Sequence, residues 1–258
     1  MPFNQRRHLR RQARVWLDLA QARLPRQAQW RVDQIGHRAF KSYSFYGEDA
    51  VVRGLLERWR FEGVDLPKLS YVDVGAWRPV AGSNTFWLYR AGARGTLVEP
   101  NPHLTGLIRA ARPGDQLLPV ACSTSHMLEY FSFGPYAESN TTSPAFAEEI
   151  ARAQDVRLES VTQVPGWSME RILETHLQRF DDVFLLNIDA EGISGRILMS
   201  TQWTSLPRRP RVVISEADEI GSTKSLDATQ SETVKFMRDV GYVLVAKCGV
   251  SEIFVDSF

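Results

Sequence analysis

The spacing of apolar residues predicts that helices and strands alternate along the first half of the chain. Residues 47–60 place apolar side chains at helical spacing, and residues 71–74 form a short apolar run typical of a buried strand. The pattern continues with two further strands, at 95–99 and 116–121, and two further helices, at 84–89 and 102–111. This alternation predicts a parallel sheet with helices on both faces.

The regular alternation pauses between residues 122 and 181 and then resumes. The interrupted region holds an aromatic strand at 127–133, a polar loop at 138–143 and helices near 145–153 and 168–179. Beyond it, the pattern predicts strands at 183–188 and 211–215, helices at 194–200 and 233–240, and final strands at 242–247 and 251–255. The link between the last two strands is too short for a crossover, so they must pair antiparallel.

The composition is that of a folded globular domain whose charge is unevenly distributed. Apolar residues make up 43% and charged residues 24% of the 258 positions. The two cysteines exclude a disulfide scaffold and a four-cysteine zinc site. Residues 1–40 hold nine arginines against two aspartates, a net charge of +7, whereas the remainder holds 22 basic and 28 acidic groups, a net charge of −6. We therefore divide the chain into a basic arm, residues 1–41, and a main domain, residues 42–258.

The basic arm carries a helical apolar stripe that ends at Pro25. Leu9, Trp16 and Leu24 belong to this stripe, and arginines lie roughly opposite. One interpretation is a helix lying on an anionic membrane, at its inner face. The interpretation that we favour is a helix packed on the main domain or on the second copy in a homo-oligomer. Nucleic acid is not favoured as a partner, and the scarcity of cysteine suggests a cytoplasmic setting.

Carboxylates follow two consecutive strands of the predicted sheet. Asp73 comes at the end of the first strand, two residues before Gly75, and Glu99 ends the second. Ligands of open α/β sheets bind beyond the carboxyl ends of the strands, and an acid after the second strand is placed to accept hydrogen bonds from ribose. The turn after the first strand lacks the three glycines that cradle a pyrophosphate, because Ala76 and Trp77 follow Gly75. These features favour a nucleoside cofactor without phosphates, such as S-adenosylmethionine.

A series of motifs in the main domain resembles the FkbM-type S-adenosylmethionine-dependent methyltransferases. In chain order they are SYSFYGED from Ser42, YVDVGA from Tyr71, SNT from Ser83, LYRAG from Leu88, GTLVEPNP from Gly95, RPGD from Arg112, NT from Asn140 and IDAEG from Ile188. The resemblance implies a class I methyltransferase fold, which is a Rossmann-like, doubly wound α/β sheet that is mostly parallel. It also implies O-methylation of a sugar, a glycan or another hydroxylated small molecule, with residues 122–181 as an insertion that selects this acceptor.

The resemblance, together with the strand ends, assigns nine residues to the cofactor. They are Glu48, Asp73, Gly75, Ala76, Asn84, Glu99, Pro100, Asn101 and Ala121. The chain departs from the family pattern at two places: Asn187 stands where a lysine usually opens the fourth-strand motif, and Ile193-Ser194 replace a second acid.

The predicted catalytic residues are Asp189 and Glu191, which follow the strand at 183–188. A hydroxyl is a poor nucleophile, so its methylation needs a general base or a metal ion. Either carboxylate can take the proton, and Asp189 together with Glu216 and Asp218 offers oxygen ligands for Mg²⁺ or Mn²⁺. His126 is a less favoured alternative base.

Two other functions remain open from the sequence. A nicotinamide-dependent sugar oxidoreductase or epimerase would share the sheet and the ribose acid, but it needs glycines that the turn after Gly75 lacks. A catalytically silent cofactor-binding module would not need Asp189 and Glu191. The methyltransferase is therefore the interpretation that we favour.

Overall fold

The computed structural model of the protein describes residues 41–66, 68–217 and 231–257. The central sheet has seven strands in the order β3-β2-β1-β7-β8-β10-β9, and three strands form a second sheet in the order β4-β6-β5. The strands are β1 (Ser70–Val74), β2 (Arg94–Val98), β3 (Gln116–Leu118), β4 (Ala121–Cys122), β5 (Met127–Ser132), β6 (Ser160–Trp167), β7 (Leu185–Ile188), β8 (Val212–Glu216), β9 (Tyr242–Cys248) and β10 (Ser251–Asp256). The first five strands of the central order are parallel, and β10 pairs antiparallel with both β8 and β9.

Helices cover both faces of the central sheet. They are α1 (Glu48–Phe61), α2 (Phe86–Ala91), α3 (Pro102–Ala111), α4 (Pro144–Ala153), α5 (Met169–Leu177), α6 (Ser194–Ser200) and α7 (Glu232–Asp239), with a short 3₁₀ helix at Trp203–Ser205. One apolar core joins the sheet to α1, α2 and α3, and a second core joins the other face to α5, α6 and α7. This arrangement confirms the predicted doubly wound fold.

Alternation along the central strands decides which side chain enters which core. In β1, Tyr71 packs into the core with α1 to α3, whereas Val72 and Val74 pack into the opposite core. In β7, Leu185 packs into the core with α1 to α3, and Leu186 packs into the opposite core. Both strands are buried along their whole length, as expected for central strands of a sheet covered on two faces.

At two places the structure departs from the predicted elements by more than a shift of their bounds. The expected strand at 116–121 is broken at residues 119–120, so that β3 stays in the central sheet and β4 pairs with β6 instead. Proline has no N–H to donate, which accounts for the break at Pro119. The strand β6 was not predicted; it pairs antiparallel with β5 along Met127 to Ser132 and builds the second sheet from the interrupted region.

Several predictions fall outside the described residues. They concern the basic arm up to residue 40 and the polar loop at 218–230, including Asp218. Among the residues that are described, no helix is long and apolar enough to cross a membrane.

Candidate active site

A cavity of about 360 Å³ opens at the carboxyl ends of the parallel strands. All the residues assigned to the cofactor line it except Asn101, and Asp189 and Glu191 line it as well. The cavity lies where β1 has β2 on one side and β7 on the other, with their connections running in opposite directions. Ligands bind at this position in open α/β sheets.

The turn after β1 is packed directly against the loop after β7. Gly75 has a φ of +78°, and a Cβ placed on it would lie 1.8 Å from the backbone oxygen of Asp189. The Asp189 N–H in turn donates to the Val74 carbonyl over 2.9 Å. Glycine is therefore required at position 75 by the protein itself, and not only by the approach of a ligand as the sequence suggested.

Asp73 is held by a chain of side chains at the base of the cavity. Its carboxylate accepts hydrogen bonds from Asn187 Nδ2 over 2.9 Å and from the Thr85 hydroxyl. Asn187 Oδ1 accepts from Asn84 Nδ2, also over 2.9 Å, so that Asn84 reaches Asp73 through Asn187. Burial raises the pKa of Asp73. Asp73 therefore has a structural role, in addition to the direct contact with the cofactor that the sequence predicts.

A buried arginine that the sequence did not mark as a site residue supports this network. Arg112 is 1% exposed; its Nε donates to Asp115 over 2.7 Å, and Nη1 lies 3.8 Å from the Asp73 carboxylate. Its Nη2 also donates to the Thr85 hydroxyl over 3.0 Å. Asp115 accepts from the Tyr71 hydroxyl over 2.8 Å. The RPGD motif therefore contributes a buried ion pair that fixes β1 and its terminal carboxylate.

Glu99, the predicted ribose ligand, is fixed by two backbone groups. Its Oε2 accepts from the Trp77 N–H and its Oε1 from the Asn101 N–H, each over 2.8 Å. Asn101 does not line the cavity; its side chain instead caps α3 by accepting from the His103 N–H. Burial raises the pKa of Glu99 to about 7. Each carboxylate oxygen retains a second lone pair for a ligand hydroxyl.

Three carboxylates come together in the cavity beside the turn after β1. Asp189, Glu191 and Glu216 each offer an oxygen within 4.8 Å of the others. Burial raises the pKa of Asp189 to about 6, while a hydrogen bond with Glu216 opposes this rise. Burial and the neighbouring charge of Asp189 raise the pKa of Glu191 to about 8. The cluster therefore holds a proton more readily near neutral pH than exposed carboxyl groups do.

The backbone around the two predicted catalytic residues is fixed from both sides. The Thr141 hydroxyl donates to the Glu191 carbonyl over 2.6 Å, and the Ala190 N–H donates to Ser194 Oγ over 2.9 Å. Ser194 replaces the second acid expected after the glycine of the family motif, and its role here is to close this turn at the start of α6. Thr141 belongs to the NT motif in the interrupted region, which explains how that distant motif reaches the site.

Other residues of the cavity were missed or misplaced from the sequence. Phe45, Tyr46, Tyr130 and Ser251 line the cavity but were not assigned to the site, although the first two belong to the SYSFYGED motif. His126, the alternative base, is exposed and does not line the cavity, so the structure does not support that alternative.

The cavity chemistry fits S-adenosylmethionine, which carries a sulfonium and an ammonium group. Seven of the described lining residues are carboxylates, and none of the described lining residues is basic. The acids are Glu48, Asp73, Glu99, Glu138, Asp189, Glu191 and Glu216. Within the described part of the chain, the buried Nε1–H of the lining residue Trp77 has no acceptor. An acidic cavity with a spare donor suits a cationic nucleoside better than a pyrophosphate.

One comparison with known proteins, the match to a family, agrees with this geometry. The profile of the methyltransferase FkbM domain matches residues 73–244, more than half of the chain and the whole stretch from the end of β1 into β9. No curated protein matches the chain. Among solved structures, it is similar to a TehB-like SAM-dependent methyltransferase from Corynebacterium glutamicum, with 10% identity, 89% of this chain and 95% of that chain covered, and a TM-score of 0.37. On the strength of the domain match, the chain belongs to the FkbM methyltransferase family, whose methyl donor is S-adenosylmethionine.

Proposed function

We propose that this S-adenosylmethionine-dependent methyltransferase transfers the methyl group to a hydroxyl of a saccharide or of another hydroxylated small molecule. The observation that carries the proposal is the cluster of Asp189, Glu191 and Glu216, which shares one cavity with the turn after β1. A pKa near neutrality, as Asp189 has, suits a general base that removes a hydroxyl proton.

The residues divide into a binding end and a reacting end. The cofactor supplies an electrophilic methyl group bound to a positively charged sulfur. At the binding end, Glu99 accepts hydrogen bonds from ribose, and the acids near β1 complement the positive charge of the cofactor. At the reacting end, Asp189 accepts the proton of the attacking hydroxyl. Glu191, with its higher pKa, keeps its own proton and can donate a hydrogen bond to the acceptor.

The same cluster also suits a divalent cation, which remains a second way to activate the acceptor. Asp189, Glu191 and Glu216 offer the hard oxygen ligands that Mg²⁺ and Mn²⁺ prefer. A cation held there would lower the pKa of a bound hydroxyl and orient it. The base and the cation predict different responses to pH and to chelators.

We propose that the interrupted region, residues 122–181, selects the acceptor. It contributes Tyr130, residues 137–142, Ile150 and Gln154 to the cavity wall. Tyr130 lies in β5 and Ile150 in α4, and a bridge between Phe131 and Thr141 joins the intervening loop to β5.

The rival functions have less support. In the turn after β1, Ala76 and Trp77 fill positions where a nicotinamide-dependent oxidoreductase needs glycine. A silent binding module would have no use for the three carboxylates of Asp189, Glu191 and Glu216 gathered in the cavity.

For the basic arm we keep the proposal of an anionic surface or an oligomer contact. Deleting residues 1–25 should leave cofactor affinity unchanged and should abolish either binding to anionic vesicles or an oligomer measured by light scattering. If neither property changes, the arm has no such role.

The proposed reaction is tested with purified protein, isotopically labelled S-adenosylmethionine and a set of acceptors. Methyl pyranosides and acyclic sugar alcohols offer hydroxyls, and matched amino sugars offer an amine. We expect release of S-adenosylhomocysteine and O-methylated products identified by mass spectrometry. Transfer only to the amines would contradict the O-methyltransferase while leaving the family assignment intact.

A further inference from the structure

Two large aromatic side chains are exposed at the mouth of the cavity. Phe45 and Tyr46 lie just before Gly47, the N-cap of α1; they line the cavity and are 59% and 58% exposed. Together with Trp77, which also lines the cavity, we call them the aromatic rim. Adjacent exposed apolar side chains beside a cavity usually mark a binding surface.

The positions of both rings are set by close contacts with glycines. A Cβ on Gly82 would lie 2.7 Å from the Phe45 ring, and a Cβ on Gly249 would lie 2.5 Å from the Tyr46 ring. Gly82 precedes α2, and Gly249 lies in the turn between β9 and β10. Two loops that are distant in sequence therefore leave room for these two rings.

The backbone below the rings is equally well fixed. The buried carboxylate of Asp49 accepts from the Tyr43 N–H and from the Ser44 hydroxyl, each over 2.7 Å. Glu48, also buried, accepts from the Tyr46 N–H over 2.9 Å. Hydrogen bonds to charged acceptors are among the stronger ones in proteins. The GED motif thus presents Phe45 and Tyr46 in a defined orientation.

The aromatic rim runs from the cofactor turn across the mouth of the cavity. The rings of Phe45 and Trp77 stack with centroids 6.2 Å apart and an interplanar angle of 28°, and Trp77 lies two residues after Gly75. The ring of Tyr46 is 6.4 Å from that of Phe45 and reaches the turn between β9 and β10. Trp77 has a φ of +37°, a strained value for a bulky residue. Such strain is commonly retained where a side chain serves a function.

The size of the cavity explains why an acceptor has to touch the rim. A volume of about 360 Å³ is near the lower end of the range of about 300–1,000 Å³ for small-molecule sites. A nucleoside cofactor would take most of this space, which leaves the acceptor at the mouth. There it meets carboxylates on the inner side and flat apolar rings on the outer side.

We propose that Phe45 and Tyr46 are specificity-determining residues that bind the apolar face of a pyranose ring in the acceptor. A pyranose has hydroxyls around its edge and C–H groups on its face, which matches a site with carboxylates inside and aromatic rings at the rim. An acyclic polyol offers the same hydroxyls without the face. This inference rests on the proposed saccharide acceptor and adds the part of the protein that distinguishes a ring from a chain.

The test compares Phe45→Ala, Tyr46→Ala and the double variant with wild type. The matched control is Phe61→Ala, at the far end of α1, where the side chain is 93% exposed and does not line the cavity. The probes are methyl pyranosides and acyclic sugar alcohols. We expect the double variant to lose about tenfold or more in kcat/KM for the pyranosides. Its kcat/KM for the acyclic alcohols and its affinity for S-adenosylmethionine should stay within about twofold of wild type, as should all values of the control.

Each alternative outcome shows whether the role of the aromatic rim or the proposed reaction is wrong. Unchanged pyranoside kinetics in the double variant, or equal losses for pyranosides and acyclic alcohols, would overturn the role of the rim and leave the O-methyltransferase standing. If wild type methylates no hydroxyl probe, the proposed reaction fails and the rim is then judged by binding alone. In that case saturation-transfer NMR with methyl pyranosides, on protein loaded with S-adenosylhomocysteine, should show ring-proton signals that the double variant loses. Absent or unchanged signals would overturn the inference.

Discussion

Asn187 lies directly opposite Asp73 in the register between β7 and β1, and its amide donates to the Asp73 carboxylate over 2.9 Å. Since both strands alternate in step, the two side chains leave the sheet on the same face. The family motif usually has lysine at the position of Asn187. Here Arg112, from beyond α3, supplies the positive charge near Asp73, and the neutral amide carries the contact on to Asn84.

This pairing predicts that Asn187→Asp is destabilising in a way that depends on pH. A carboxylate at this position would face Asp73 in a buried environment, where two like charges cannot both ionise. We expect the free energy of unfolding to fall by about 3 kcal/mol at pH 8, and by clearly less at pH 5.5, where the pair can share a proton. Urea unfolding at the two pH values measures this difference.

The control for this prediction is Asn187→Ala, which removes the amide without adding a charge. It should cost about 1–2 kcal/mol at both pH values. If the Asp and Ala variants lose the same stability at both pH values, position 187 does not face Asp73 as described.

Glu99 should make cofactor affinity depend on pH. Only the ionised carboxylate accepts hydrogen bonds from both ribose hydroxyls, and the pKa of Glu99 in the free protein is raised to about 7. The affinity for S-adenosylmethionine should therefore be constant well above pH 7 and fall as the pH drops through 7, by up to about tenfold per pH unit. Titration calorimetry from pH 8.5 to 5.5 measures this.

Glu99→Gln should lower the affinity by about tenfold at pH 8 and remove most of the pH dependence. Glu99 also accepts from the backbone N–H groups of Trp77 and Asn101; glutamine keeps one acceptor oxygen for them, whereas alanine removes both. Glu138→Gln removes an exposed carboxylate from the same cavity and should keep the wild-type profile. A Glu99→Gln protein with wild-type affinity throughout would refute the ribose assignment.

How far the fold could be predicted depended on how regular each segment is. The central strands could be predicted because β1 and β7 are short, mostly apolar runs in which Asp73 and Asn187 are the interruptions, and their pairing follows from the doubly wound fold. The strand β6 was missed because it contains Pro165 and Gly166, which usually argue against a strand, and because most of its residues are exposed. Its position depends on pairing with β5, which is a tertiary interaction that no local pattern records.

The same distinction between local patterns and tertiary contacts holds for the residues of the site. Asp73, Glu99, Asp189 and Glu216 could be predicted to meet, since the carboxyl ends of parallel strands share one edge of the sheet. The partners of Asp73 could not, because Asn187 is 114 positions away and its contact is set by the register of two strands. The places of Phe45 and Tyr46 likewise depend on contacts with Gly82 and Gly249 from remote loops.

His176 should make the folded state sensitive to mild acid. The ring is fully buried at the end of α5, with Nδ1 3.0 Å from the Thr96 hydroxyl and Nε2 3.0 Å from the Asp182 carbonyl. Burial lowers its pKa to about 4, whereas the unfolded chain titrates near 6.5. Between these values the unfolded state binds the extra proton, so stability is complete above pH 6.5 and falls as the pH drops toward 4, by at most about 3 kcal/mol.

Thermal unfolding of His176→Gln between pH 7.5 and 4.5 checks this prediction. The variant should be less stable than wild type at neutral pH, and the gap should narrow as the pH falls. His126→Gln, which changes an exposed ring, should follow wild type throughout. A gap that stays constant with pH would show that His176 is not the group responsible.

Asp189 is the residue on which the proposed transfer step depends most. Its side chain hydrogen-bonds to Glu216, and its backbone is fixed to β1 through the Val74 carbonyl. Asp189→Asn keeps the size of the side chain but removes the base, so kcat should fall by about 10²-fold or more, while affinity for S-adenosylmethionine changes by less than about threefold. Glu129→Gln is the matched control, since it removes an exposed carboxylate that does not line the cavity.

The pH profile and a chelator then separate the two ways of activating the hydroxyl. If Asp189 is the base, wild-type kcat should decline as the pH falls below about 6, the pKa of Asp189, and a chelator should have no effect. If the cluster holds a cation, a chelator should reproduce the loss seen in Asp189→Asn. Excess Mg²⁺ or Mn²⁺ should then restore wild-type activity and partly offset the loss in the variant.

A third result would remove Asp189 from the transfer step altogether. Should Asp189→Asn lose cofactor binding and turnover in parallel, the residue orients the cofactor, and proton removal has to be assigned to Glu191 or Glu216.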